Sequence, residues 1–127
     1  MWRMGLISLM VLTGCAGTGV DVVTPNQHDL YSVATIQKIS NETDPVHVYI
    51  EGDGHAFDML GRATDDPTPH SQFMRKMAAA DDASNVVYIA RPCQFIMDEK
   101  CTVTDWTDGR FSRTIVDSMA DTIKTNR

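Results

Sequence analysis

The sequence predicts an α/β domain in which a mainly parallel sheet is covered by helices on both faces. Three observations support this prediction. Strand-like and helix-like segments alternate, the strand-like segments are almost continuously apolar, and each helix-like segment has one apolar stripe. Alternating strands and helices indicate βαβ units, and continuously apolar strands are typical of parallel sheets. The predicted order is strand, strand, helix, strand, helix.

Three segments have the composition of strands. Residues 30–39 are rich in Val, Thr, Ile and Tyr, which favour strands, although their apolar spacing also fits a helix. Residues 47–50 are β-branched or aromatic, apart from one histidine, and are followed by a Gly-Asp-Gly loop at residues 52–54. Residues 85–90 form a similar run that stops before Pro92. We therefore predict a strand at each of the three positions.

Two segments have the periodicity of amphipathic helices. The first is predicted to have Thr68 as its N-cap and Pro69 at the first helical position, where proline is favoured. The second is predicted to begin near Ser112 and to end with basic residues, which complement the helix dipole. The predicted inward positions are Phe73, Met74, Met77, Ala78 and Ala80 in the first helix and Ile115, Val116, Met119, Ala120 and Ile123 in the second.

The N-terminus resembles the signal peptide of a bacterial lipoprotein. Arg3 gives a positive start, an apolar stretch follows, and residues 12–15 read Leu-Thr-Gly-Cys, which is similar to a lipobox. The apolar stretch is shorter than the roughly 20 residues that span a bilayer, so residues 1–14 are predicted to be a signal peptide. Cys15 is then predicted to carry palmitate-type acyl chains and to be the protein's contact with the membrane. The alternative is an uncleaved hydrophobic N-terminus with a buried cysteine.

The lipoprotein resemblance also predicts a location. Ala16 follows the cysteine where inner-membrane retention usually shows Asp, so we expect the outer membrane, with the protein facing the periplasm. Residues 15–27 lack periodicity and are predicted to be a tether, and residues 28–127 a single domain. The net charge of −6 and the absence of a Lys/Arg cluster argue against nucleic-acid binding. No cofactor is predicted.

The cysteine count predicts a disulfide. Assigning Cys15 to lipid leaves Cys93 and Cys101 as an even pair. Export would place this pair in an oxidising compartment, where a disulfide persists. Two separately buried thiols are the alternative, and zinc is disfavoured because no second Cys/His pair has ligand spacing.

Several segments together resemble the N-terminal half of a family of bacterial exported α/β-hydrolase-fold proteins. They are Val48–Gly54, Asp66–Pro69, Val87–Gln94 and Trp106–Phe111. The resemblance covers about residues 28–127 and implies part of an α/β-hydrolase-like three-layer sandwich. It also implies that the strand at residues 46–51 lies beside a further strand that this chain does not contain.

The resemblance implies an oxyanion-binding loop. In such enzymes the loop after the third strand supplies a backbone N–H group of the oxyanion hole. Gly52, Asp53 and Gly54 occupy this loop, and the N–H group of Asp53 or Gly54 is the candidate donor. The alternative is that the glycines only permit a tight turn.

The catalytic residues of the family are missing. The chain contains no Gly-x-Ser-x-Gly nucleophile elbow, and the acid and histidine that should follow it are absent. We therefore expect a truncated, lipid-anchored serine hydrolase that is inactive as this chain, while its full-length version would cleave a small ester or related acyl substrate. The alternative is a complete, non-enzymatic envelope lipoprotein that acts as a small binding module.

Other polar residues suggest no second site. The four histidines have no spacing that would place two imidazoles on one metal, so no metal site is predicted. Arg91 is expected to pair with a nearby carboxylate, with anion binding as the alternative. Trp106 is expected to pack against the disulfide loop, with substrate binding as the alternative. The histidines are His28, His47, His55 and His70.

Overall fold

The computed structural model describes the backbone of residues 21–23 and, in full, residues 30–126. The predicted signal peptide, the lipidation candidate Cys15 and His28 lie outside these residues. Helices and strands follow one another in the order β1 (Asp21–Val23), β2 (Val33–Ile39), β3 (Val46–Ile50), α1 (Phe73–Ala80), β4 (Asn85–Ile89), α2 (Val103–Trp106) and α3 (Arg113–Thr125).

The strands form one mixed sheet in the order β1-β2-β4-β3. β1 pairs with β2 and β2 pairs with β4 in antiparallel fashion, and only β3 and β4 run parallel. The predicted mainly parallel, hydrolase-like three-layer sandwich is therefore wrong. A continuously apolar strand indicates that both of its faces are buried. It does not indicate whether the strand runs parallel or antiparallel to its neighbours. β4 is buried at all five positions, yet its neighbour β2 runs antiparallel to it.

The two longer helices bury opposite faces of β4. On one face, α1 packs against the even-numbered side chains of β4, and on the other, α3 packs against the odd-numbered ones. This alternation follows from the two-residue period of a strand. The α1 face includes Met74, Ala78, Val86 and Tyr88, and the α3 face includes Val87, Ile89, Met119 and Ile123.

A third apolar cluster lies around the disulfide. The sulfur atoms of Cys93 and Cys101 are 2.08 Å apart, which confirms the predicted pairing. Trp106 packs in the same cluster as Cys93, as predicted, and its indole Nε1–H donates to the carbonyl of Thr64 at 3.1 Å. The cluster also contains Tyr31, Ala56 and Ile115. It connects the segment after β4 with α2 and the beginning of α3.

The predicted strands at residues 30–39, 47–50 and 85–90 are confirmed as β2, β3 and β4. The predicted start of α3 is also confirmed, because the Ser112 hydroxyl accepts from the N–H group of Ile115 at 3.4 Å. The segment predicted as a tether contains β1, which pairs with β2.

The first helix begins later than predicted. α1 starts at Phe73 with Gln72 at the N-cap, so Thr68 and Pro69 are not its first residues. The N–H group of Thr68 donates to Asp66 Oδ1 at 2.8 Å, and its hydroxyl accepts from the N–H group of Phe95 at 2.8 Å. Thr68 thus holds a turn to the segment after β4. Four residues predicted to face inward are exposed, namely Phe73, Met77, Ala80 and Val116.

Candidate functional site

The candidate loop leaves the sheet at the carboxyl end of β3, next to the carboxyl end of β4. The pairing continues one residue beyond β3, because the N–H group of Glu51 donates to the carbonyl of Ile89 at 2.9 Å. Glu51 also accepts from the Tyr88 hydroxyl at 2.8 Å, and burial, followed by this contact, raises the pKa of Tyr88. Tyr88 therefore stays a hydrogen-bond donor at neutral pH. Glu51, the first residue after β3, is therefore held by a backbone hydrogen bond to Ile89 and by a side-chain hydrogen bond from Tyr88.

Gly54 has a conformation that requires glycine, whereas Gly52 does not. Gly54 has a φ of +62°, and a Cβ atom there would meet the Pro67 carbonyl oxygen and lie 2.6 Å from Gln94 Nε2. A Cβ atom on Gly52 would meet nothing within 4 Å. The sequence singles out both glycines equally, but the close approach of backbone that only glycine allows occurs at Gly54.

The loop contains two adjacent backbone donors without an internal acceptor. The N–H group of Gly52 donates to Glu51 Oε1 at 3.0 Å, and that of His55 donates to the Pro67 carbonyl at 2.9 Å. Between them, the N–H groups of Asp53 and Gly54 find no acceptor among the residues that the structure describes. Both residues are exposed. The sequence resemblance to hydrolases implies that one of these two N–H groups is the oxyanion donor.

Two arginines hold the side chain of Asp53. Arg91 Nη1 lies 2.6 Å from Asp53 Oδ1, and Arg110 Nε lies 3.7 Å from Asp53 Oδ2. Arg91 Nη2 also donates to the carbonyl of Arg110 at 2.6 Å. The expected pairing of Arg91 with a carboxylate is thus confirmed. Two guanidinium groups facing one carboxylate leave the loop with local positive charge in an acidic protein.

Phe111 lies beneath both arginines. The guanidinium carbon of Arg91 is 5.2 Å from the centre of the Phe111 ring, and that of Arg110 is 5.0 Å from it. Cation–π contacts of this kind attract the guanidinium groups to the face of the ring. The arginines, and with them Asp53, are therefore positioned from two sides.

Gln94 connects the candidate loop to the segment after β4. Its Nε2 donates to the Gly52 carbonyl at 3.0 Å, and its Oε1 accepts from the N–H group of Arg91 at 3.0 Å. The side chain is buried, and both neighbours, Cys93 and Phe95, have positive φ angles of 70° and 62°. Such φ angles are uncommon for residues other than glycine and are found at functional sites. The disulfide through Cys93 holds this segment in place.

Sequence reasoning missed Gln94, Arg110 and Phe111 as parts of the site. Gln94 contacts Gly52 across 42 residues of sequence, so no local pattern reports the contact. The available signal was indirect, since Gln94 and the Arg110-Phe111 pair end two of the segments that resemble the hydrolase family.

The site has no room for a substrate within the part of the chain that the structure describes. A cavity of about 10 Å³ lies between Asp53, Arg91, Gln94 and Trp106, which is enough for about one water molecule. A ligand at the loop would therefore bind at the surface, above the two free N–H groups.

Three of the serines that the structure describes have structural roles. Ser118 is buried, accepts from the N–H group of Tyr31 at 3.0 Å and donates to the Thr114 carbonyl at 2.7 Å. Ser112 caps α3, and the Ser40 hydroxyl donates to the Ser84 carbonyl at 2.6 Å. None of these hydroxyls is paired with a histidine, which an activated serine nucleophile requires.

Two histidines that are distant in sequence meet near the loop. The rings of His55 and His70 are stacked with their centres 4.1 Å apart. A hydrogen bond from the Thr68 side chain, followed by one from its N–H group, lowers the pKa of the nearby Asp66 carboxyl, and both histidines add to this effect. Over residues 30–126, no group of three or more His, Cys, Asp or Glu is placed to hold a metal ion.

His47 lies in a different cluster, together with Asp81 and Tyr49. Its Nδ1 is 2.8 Å from Asp81 Oδ2, and the Tyr49 hydroxyl donates to the same oxygen at 2.8 Å.

Within the described ranges, no helix is long and apolar enough to cross a bilayer.

No protein-family model matches the chain, and no curated protein or solved structure is significantly similar to it. The relationship to exported hydrolases therefore stays a prediction carried by the sequence motifs.

Proposed function

We propose that this chain is a lipid-anchored envelope protein that provides the oxyanion-binding part of a serine hydrolase. The observation that carries the proposal is the pair of adjacent N–H groups, on Asp53 and Gly54, that have no acceptor among the described residues. They lie at the carboxyl end of β3, where the sequence resemblance expects an oxyanion loop. The proposal requires only that a loop with a fixed conformation follows β3. It does not require the mainly parallel sheet that the sequence predicted.

Preorganisation supports this role. An oxyanion hole acts through donors whose positions are fixed before the reaction, so that no reorganisation is needed when charge develops. Three sets of contacts restrict the loop. They are the close packing at Gly54, the hydrogen bonds of Gln94 with Gly52 and Arg91, and the two arginines on Asp53. The arginines also neutralise the Asp53 carboxylate, which would otherwise repel an anion at the adjacent N–H groups.

The proposal also includes a lipid anchor at Cys15 and catalytic residues that lie outside this chain. Cys15 carries acyl chains that hold the protein at the envelope, with the outer membrane as the proposed location. Hydrolysis of an ester or related acyl bond is assigned to a longer protein that also carries a Gly-x-Ser-x-Gly elbow, an acid and a histidine, because this chain has no such elbow. The chain by itself is not expected to hydrolyse a substrate.

The test is an NMR titration of the full ¹⁵N-labelled chain with methyl methylphosphonate, a monoanion that mimics a tetrahedral oxyanion. We expect the largest amide shifts at Asp53 and Gly54, with a dissociation constant in the millimolar range, roughly −4 kcal/mol. Neutral dimethyl methylphosphonate is the matched control probe and should leave these amides unchanged. Equal shifts with both probes, or shifts confined to arginines outside the loop, would contradict the proposal.

A second candidate function is a non-enzymatic envelope binding module. The observation that favours it is an open groove of about 410 Å³ along β3, bounded by α3. This groove lies toward the amino end of β3, at the opposite end of the strand from the Gly-Asp-Gly loop. A binding role there requires none of the missing catalytic residues, so the two candidate functions are tested by different variants.

A further inference from the structure

β3 presents one open edge. It pairs with β4 on one side, and no other strand that the structure describes lies on its other side. The N–H group of Glu51 points to β4, where it donates to Ile89. Backbone polar groups alternate in direction along a strand, so the N–H and C=O groups of Val46, Val48 and Ile50 face away from β4. Three successive hydrogen-bonding positions are therefore available to a further strand.

Within the described residues, β3 itself carries none of the usual sequence features that protect an edge strand against pairing. Native proteins block exposed edges with lysine, proline or a bulge. The five residues of β3 read Val-His-Val-Tyr-Ile, which include none of these, and all five pair with β4 in unbroken register. The side chains of Val48 and Ile50 are 40% and 46% exposed. This edge is both unblocked and apolar.

A groove runs beside the edge and has an apolar floor with an acidic end. The floor is formed by β3, β4 and the last turns of α3, and the acidic end by the turn between β2 and β3. Within residues 30–126, the carboxylates of Glu42 and Asp44 at this end form no ion pair. The groove residues are Glu42, Asp44, Val46, Val48, Val87, Ile89, Ile123 and Asn126.

We propose that this edge and groove bind an extended segment of a partner protein, which adds a strand beside β3 at the position that the hydrolase resemblance gives to a further strand of the same protein. Alternate small apolar side chains of the segment fill the groove over Val46 and Val48, and a Lys or Arg at its end pairs with Glu42 and Asp44. Main-chain hydrogen bonds supply affinity in this mode of recognition, and the side chains supply specificity.

Charge argues against a second copy of this chain as the occupant. A two-fold symmetric pair of β3 strands is antiparallel and uses the same surface on both copies. It would bring no basic residue to the acidic end of the groove, because residues 42–54 contain neither Lys nor Arg. A partner strand with a basic end supplies the opposite charge for Glu42 and Asp44.

The experiment uses the full 127-residue chain in mild detergent and two fluorescein-labelled peptides, Lys-Thr-Val-Thr-Val-Thr-Lys and Glu-Thr-Val-Thr-Val-Thr-Glu. Fluorescence anisotropy should show that the lysine peptide binds at least about tenfold more tightly than the glutamate peptide. The double change Glu42→Lys and Asp44→Lys should reverse this preference. Equal binding of the two peptides, or an unchanged preference in the double variant, would overturn the proposal.

Two further measurements test strand addition itself. A lysine peptide N-methylated at alternate backbone nitrogens should lose binding to the unaltered chain, and this result does not depend on any variant folding. Val48→Pro removes a donor that faces the open edge and leaves the pairing with β4 intact, so it should abolish binding while the thermal transition is retained. If the chain alone forms a dimer and Val48→Pro dissociates that dimer, a second copy of the chain occupies the edge. This result would refute the proposed partner.

Discussion

The carboxylate of Asp53 accepts from Arg91 at 2.6 Å while its own backbone N–H group is left without an acceptor in the described part of the chain. One residue thus has its side chain fixed by the segment after β4 and a backbone donor without an acceptor among the described residues. This division fits a loop that must stay in place when an anion approaches. It makes Arg91 a positioning residue for the adjacent donors.

The first prediction concerns the two glycines of the loop. Gly54→Ala should destabilise the fold by at least about 1–2 kcal/mol, because alanine is strained at positive φ and its Cβ would clash with the Pro67 carbonyl. Gly52→Ala is the matched control and should change the free energy of unfolding by less than about 0.5 kcal/mol. Urea denaturation of both variants measures the difference. Equal destabilisation by the two changes would show that the Gly54 contact is not specific.

The second prediction concerns the arginine that holds Asp53. Arg91→Met should cost about 1–3 kcal/mol, because it removes charge-assisted hydrogen bonds to Asp53 and to the Arg110 carbonyl. Amide hydrogen exchange of Asp53 and Gly54 should also become faster. Arg62→Met is the control, since the Arg62–Asp58 pair is exposed and such pairs contribute only about 0–1 kcal/mol. Unchanged exchange at the loop in Arg91→Met would argue that the arginine does not position the donors.

The third prediction concerns pH. The pKa of the Asp81 carboxyl is lowered to about 2 by the hydrogen bond from the Ala83 N–H group, then by those from His47 and Tyr49. Because the folded pKa is below the unfolded value, the stabilisation is complete above the unfolded pKa and is lost as pH falls towards 2.

The measurement is the urea midpoint of the unaltered chain and of Asp81→Asn as a function of pH. The unaltered chain should have the higher midpoint at neutral pH, and the two curves should converge as the pH falls from about 4 to about 2. A difference that persists unchanged at the acid end would mean that the Asp81 charge does not stabilise the fold.

The fourth prediction concerns the anchor. Radiolabelled palmitate should be incorporated into the unaltered chain in a bacterial host, and Cys15→Ala should abolish the label, because we propose that thiol as the point of lipid attachment. The double change Cys93→Ala and Cys101→Ala should keep the label, since these cysteines form the disulfide. Incorporation that survives Cys15→Ala would refute the lipid assignment.

Much of the local structure was predictable from the sequence, and strand direction was not. β3 and β4 are short apolar runs bounded by turn residues, and α3 has both a stripe and a serine cap. The apolar runs arise because α1 and α3 cover both faces of β4, and this burial is the same for parallel and antiparallel neighbours. The start of α1 was misplaced because Thr68 bonds to Phe95, a contact made only in the folded chain.

The site divides in the same way. The Gly-Asp-Gly sequence identified the loop, because glycine after an apolar strand is a local signal, and the hydrolase resemblance proposed Asp53 or Gly54 as the donor. The partners that fix the loop come from the segments after β4 and before α3, as with Arg110 on Asp53. Contacts between residues so far apart in the sequence depend on the whole fold. A single sequence does not reveal them.

The nucleotide sequence that follows the Arg127 codon tests the central proposal most directly. If the chain provides the oxyanion-binding part of a serine hydrolase, one of the downstream reading frames should encode Gly-x-Ser-x-Gly, followed by an acid and then a histidine. Downstream sequence that encodes none of these, in any frame, would contradict the hydrolase assignment and leave the envelope binding module as the function of this chain.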